Sequence, residues 1–131
     1  MRIASICLII LLSTYLLSTH AATAQTRTAV PGKPLTLYRA YATNPDCTSS
    51  GDAVIRVTEA SRYGRVLISR TGVFPRFSES NLRSVCNRRR VPGTVATYVA
   101  QRGYAGPNSV SLEAIFSPGE LRQGSFTIMV R

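Results

Sequence analysis

From residue 35 onward the chain is built of short runs in which apolar side chains recur at every second position, each run closed by Gly, Pro, Asn or Asp. In 35–41, Leu35, Leu37 and Tyr41 fall on one face at period two, the spacing of a half-buried strand. Ile55 and Val57 alternate with Arg56 and Thr58 in Ala53–Glu59, and Val66 and Ile68 share a face opposite Arg65 and Leu67 in 64–69. Each run predicts a strand with one wet face. Residues 93–100, 109–116 and 124–130 continue the pattern, with Val110, Leu112, Ala114 and Phe116 on one face and Phe126, Ile128 and Val130 on another. Asn44-Pro45-Asp46 and Ser49-Ser50-Gly51-Asp52 are turn chemistry. The middle is less regular. Phe74-Pro75-Arg76-Phe77 reads as an edge strand broken by Pro75 or as a crossover, 78–83 as one helical turn capped by Ser78 or Ser80, and 84–88 as a short strand carrying Cys86. About seven strands at this spacing, with no internal repeat or heptad, predict an all-β antiparallel sandwich over 35–131.

The first 24 residues break the alternation. Arg2 precedes an almost uncharged apolar run over 3–17, and Ala22-Thr23-Ala24 supplies the small-x-small pattern of a processing site. The run is shorter than the roughly 20 apolar residues a membrane span needs, so 1–24 is expected to be a cleaved signal peptide. Cys7 stands too early in the run for lipid attachment at its end. After processing no transmembrane helix is expected, and the protein should be secreted or periplasmic. Residues 25–34, with Pro31, Gly32 and Pro34, read as a linker whose prolines cannot donate to a ladder.

Export changes the meaning of the cysteines. Cys47 and Cys86 remain as a single pair in an oxidising compartment, where disulfides form and persist. Closing a loop of roughly 40 residues should stabilise the fold by about 3–4 kcal/mol in the chain-entropy model.

One segment is specific enough to compare with a known family. Tyr98-Val99-Ala100-Gln101-Arg102-Gly103-Tyr104-Ala105-Gly106-Pro107-Asn108-Ser109-Val110-Ser111-Leu112 resembles the Tyr-x-Pro-x-x-Gly-aromatic-x-Gly-x-Asp-x-Phe-x-Tyr signature of bacterial Ig-like, cadherin-like domains. Tyr63-Gly64-Arg65-Val66 and the closing 124–130 segment fall where such domains have a Gly-Thr-Val-type strand and a last strand, so the likeness spans 53–131. It implies an Ig-like sandwich over 35–131 of the kind found as modules in secreted proteins. It also implies a structural turn at Gly103 and Gly106, with positive φ between paired strands, and Tyr104 covering the end of the core. Ala100 stands where the family prefers Pro and Asn108 where it prefers Asp. Calcium ligation of the cadherin type would lean on that carboxylate, so no metal and no cofactor are expected.

Charge and missing residue types then narrow the function. The chain carries 16 Lys and Arg against 6 Asp and Glu. Without Arg2 the basic residues number 15 against 6 acidic, a net charge of +9, and no His or Trp remains after residue 24. The commonest general base and metal ligand is therefore missing from the expected mature chain. Lys33, between Gly32 and Pro34, is poorly placed to activate a hydroxyl. The six carboxylates Asp46, Asp52, Glu59, Glu79, Glu113 and Glu120 offer no recognisable catalytic pair, so no catalytic residue is expected and the protein is read as a non-enzyme. Its role is expected to be that of a protein-interaction or structural module of the envelope. The alternative is a polyanion-binding surface built from Arg83, Arg88, Arg89, Arg90 and Arg102, with Tyr98 and Tyr104 available for stacking. The expected partners are an envelope protein or an anionic envelope component such as anionic lipid, lipopolysaccharide or acidic polysaccharide. Export argues against nucleic acid as the natural partner.

If Ala22-Thr23-Ala24 marks the processing site, the intact mass of the exported protein should match a chain beginning at Gln25. A secreted species that retains Arg2 would contradict this.

Overall fold

The alternating segments form seven strands because each has one apolar face to bury, and two sheets laid face to face bury all of those faces at once. The computed structural model describes residues 25–131, so the expected signal peptide lies outside the described residues. The strands are β1 (Gln25–Ala29), β2 (Pro34–Ala40), β3 (Ala53–Glu59), β4 (Gly64–Val73), β5 (Val91–Ala100), β6 (Gly106–Phe116) and β7 (Glu120–Val130), with a 3-10 helix at Leu82–Arg88. One sheet has the order β1-β7-β6-β3 and the other β2-β5-β4. The third, sixth and seventh strands thus share a sheet while the second, fourth and fifth share the other, a partition that the immunoglobulin-type arrangement also uses.

Facing residues of the two sheets make one core, in which Val110, Leu112, Phe126, Ile128 and Val130 meet Leu37, Ala40, Ala96 and Tyr98. Small residues at Ala40, Ala96 and Ala100 leave room for the Tyr98 ring, which is fully buried. A buried phenol needs partners for its oxygen. The Tyr98 hydroxyl donates to the Tyr63 carbonyl at 3.2 Å and accepts from Asn108 Nδ2 at 2.8 Å. The sheets are also joined by Thr94, buried in β5, whose hydroxyl donates to the Ala53 carbonyl of β3 at 2.6 Å.

Several sequence expectations need correction. Residues 25–34 are not a plain linker: β1 runs parallel to β7, with Gln25 opposite Phe126 and Ala29 opposite Val130, so the sandwich is not wholly antiparallel. Polar Thr and Arg alternation hid this strand, because only Ala29 is buried. The β2 register shifts between Thr36 and Tyr38. This bulge keeps Leu35 and Leu37 against the main core but puts Ala40, rather than Tyr41, on the inner face. Residues 74–77 form no strand, and 84–88 belongs to the 3-10 helix, whose N-cap is Asn81 rather than Ser78 or Ser80. Gly103 and Gly106 do have positive φ, +81° and +129°. They join β5 to β6 in opposite sheets, however, so the turn is a crossover and not a hairpin.

The residues around that crossover interlock. Tyr104 stacks on Tyr63 with centroids 4.2 Å apart and planes 13° from parallel, and its hydroxyl donates to the Pro107 carbonyl. Gly64 lies directly under the Tyr98 ring, where a Cβ would come within 2.5 Å of ring carbon. Gly64→Ala is therefore expected to destabilise by about 1–3 kcal/mol through overpacking. Gly106→Val should cost more than about 1 kcal/mol for a different reason, since a β-branched residue is poorly tolerated at that φ. Denaturant unfolding of both variants checks this, and a neutral result at Gly106 would contradict the strain argument.

Candidate functional site

Two long connections, residues 41–52 after β2 and 74–90 after β4, meet at one end of the sandwich. The bond between Cys47 and Cys86 joins them, with Cα atoms 5.3 Å apart across a separation of 39 residues. Under this junction Val73, Val91 and Val95 form a second, small core with Tyr41 and Cys47 packed against it. Val95 alternates with the inward-facing Ala96, so this cluster lies on the outer face of the β2-β5-β4 sheet. Tyr41, displaced from the main core by the β2 bulge, is thereby used here.

Buried loop backbone must find hydrogen-bond partners, and side chains supply them. Asn87 accepts from Phe77 N and donates to the Phe77 carbonyl, both at 2.9 Å. The Tyr41 hydroxyl accepts from Arg76 N at 2.8 Å, and Arg83 Nε donates to the Thr43 carbonyl at 2.6 Å. Beside Cys47, the Asp46 carboxylate accepts from the Thr48 hydroxyl at 2.6 Å and from Thr48 N at 3.0 Å. Those bonds hold its pKa below the ordinary aspartate range.

The three-residue period of the 3-10 helix sorts its side chains, because positions i and i+3 eclipse. Arg83 and buried Cys86 turn toward the 41–52 loop, and Asn87 turns toward Phe77. The third line, Leu82, Val85 and Arg88, is largely uncovered among the described residues: Leu82 is 82% exposed and Val85 64%. An exposed apolar pair held on an anchored turn is the local feature that most needs a reason. Reading 84–88 as a strand hid it, since strand alternation scatters these positions over two faces. The spacing Leu-x-x-Val-x-x-Arg was the signal available.

The arginines expected to act together are divided. Arg88 and Arg89 are exposed at the clamped end, whereas Arg83 is committed to Thr43 and Arg90 donates to the Gly72 carbonyl at 3.1 Å. Arg102 follows β5 while Arg90 precedes it, so the ten residues of that strand, roughly 30 Å at the usual rise, separate them. Arg102 instead borders a cleft of about 420 Å³ with Arg62, Arg65 and Gly32. Tyr98 is buried and Tyr104 is stacked on Tyr63, so neither is free to stack on a ligand beside Arg88. Among the described residues, no three His, Cys, Asp or Glu side chains gather into a cation site, and no helix is long and apolar enough to cross a membrane.

No family model and no curated protein matches the chain. Among solved structures, the solution structure of Amebosin is similar over 81% of this chain and 88% of its own, at 12% identity and a TM-score of 0.43. That likeness is too loose to transfer fold or function.

Because the bond unites two loops that share only a small core, removing it should be felt strongly. Cys47→Ser with Cys86→Ser is expected to lose about 2–4 kcal/mol and to lower Tm by on the order of 10 °C. The native protein should take up no thiol label until reduced. Ready labelling of the folded protein would contradict the bridge.

Proposed function

We propose that this protein is a small exported, non-enzymatic binding module of the cell envelope, and that its contact face is the disulfide-clamped end of the sandwich. The observation that carries this reading is the exposed Leu82–Val85 pair aligned with Arg88 on a turn anchored on its other two sides. Rigid presentation lowers the ordering cost of association, and apolar side chains at the centre of a contact supply most of its energy. Charge indicates the partner's character. Arg88 and Arg89 are exposed nearby, and Glu79 is the one acid in 74–90. A complementary surface has an apolar recess with an acidic rim, as an envelope protein could offer. The resemblance to Ig-like modules supports this, since loops clustered at one end of such sandwiches commonly do the binding.

Polyanion binding is the second reading. It is favoured by Arg88, Arg89 and Arg90, none of which takes part in an ion pair among the described residues. Salt separates the two, because exposed charges are screened and apolar contacts are not.

The test captures envelope protein on the immobilised module, identifies it, and rebinds it in purified form at low and high salt. Binding should persist at high salt and fall at least tenfold in Leu82→Ser with Val85→Ser, while Tm changes by no more than a few degrees. If binding vanishes at high salt and in the triple variant Arg88→Ser, Arg89→Ser, Arg90→Ser, yet ignores Leu82 and Val85, polyanion binding replaces the proposal.

A further inference from the structure

We propose that a second, separate site on this protein binds a carboxylated sugar unit of the kind that repeats along acidic polysaccharides. The site is a cleft of about 600 Å³ between β2, the 74–83 segment and the β6–β7 turn, a size typical of small-ligand sites. It goes beyond the contact face above and uses none of Leu82, Val85, Arg88, Arg89 or Arg90.

Two kinds of side chain converge there. Arg39, Arg76, Arg83 and Arg122 contribute four guanidinium groups, and Tyr38, Tyr41 and Phe77 contribute aromatic rings. The lining holds one carboxylate, Glu120, which is already engaged by Arg122 at 2.7 Å. Arg39, Arg76 and Arg83 take part in no ion pair among the described residues, so the cleft has an excess of positive charge. The rings are held in place: Tyr41 packs edge-on to Phe77 at 5.5 Å and 86°, and its hydroxyl is fixed by Arg76 N. Arg83 is aligned by its bond to the Thr43 carbonyl, and Arg122 lies 5.2 Å over the Phe116 ring.

This combination selects a ligand chemistry. Planar guanidinium groups suit carboxylates, which they grip through paired hydrogen bonds. Charge alone would serve phosphate equally well, but phosphate has no use for three aromatic rings. A pyranose has one: its C–H face carries partial positive charge and rests against the negative face of an aromatic ring. A sugar acid therefore uses the arginines and the rings together.

Calorimetric titration with oligogalacturonate at moderate salt tests the site, beside a neutral galacto-oligosaccharide and inorganic tripolyphosphate as probes. Saturable binding of oligogalacturonate is expected, with no detectable binding of the neutral oligosaccharide and at least tenfold weaker binding of tripolyphosphate. Arg39→Gln with Arg76→Gln, both exposed positions, should weaken oligogalacturonate at least tenfold at unchanged Tm, and Tyr38→Leu several-fold. The triple Ser variant at Arg88–Arg90 should bind within twofold of the parent. Absent binding, equal binding of tripolyphosphate, or an equal loss in the Arg88–Arg90 variant would overturn the proposal. Those outcomes leave the high-salt protein contact of Leu82 and Val85 unaffected, so the two proposals fail separately.

Discussion

The bond between Cys47 and Cys86 is the constraint on which one whole end of this molecule depends. Residues 41–52 and 74–90 contain no strand of their own beyond one isolated bridge at Thr43 and Ser49, and the apolar cluster beneath them has three buried members. Conformational entropy would favour a dispersed ensemble for loops of that length. Tying them together removes much of that freedom from the unfolded chain. The 3-10 helix then has a fixed floor, because buried Cys86 sets which line of side chains faces inward. The exposed Leu82–Val85 line, the anchoring of Arg83 and one wall of the aromatic cleft all follow from that choice.

The opposite end is held without a covalent link. There the Tyr98 ring lies on Gly64, its hydroxyl bonds to Tyr63 and Asn108, and Asn108 also donates to Ser61 at 2.6 Å. Packing and hydrogen bonding suffice because these groups sit on or beside regular strands whose positions the ladders already fix. Asn108 has a physical use in this arrangement: its amide nitrogen donates to two hydroxyls, which an ionised Asp could only accept from. The 98–112 segment is thus chiefly a device for closing the core.

Net charge gives a poor guide to where binding occurs. The basic residues are spread over both ends and along the outer faces, and only three ion pairs form among the described residues. Such a surface favours solubility and loose association with many anions. What distinguishes one arginine from another is its surroundings. Arg88 stands beside exposed apolar side chains, Arg39 and Arg76 border aromatic rings, and Arg102 joins Arg62 and Arg65 about a strand's length away.

The strands of the sandwich and the pairing of its cysteines were legible in the sequence because they depend on local facts. Period-two alternation marks any strand with one buried face, as in β6 and β7, and two cysteines allow one intramolecular bridge. β1 was illegible for the same reason, since a strand that buries only Ala29 has no alternation to read. Gly103 and Gly106 announced their positive φ, but whether they closed a hairpin or crossed between sheets was a long-range matter. The grouping of the arginines was decided by the tertiary structure alone. Arg88 and Arg102 are close in sequence yet stand at opposite ends of β5, while Arg39, Arg76 and Arg122 come together from distant segments. Local pattern records which way a side chain faces; only the packing of sheets and loops determines what it faces.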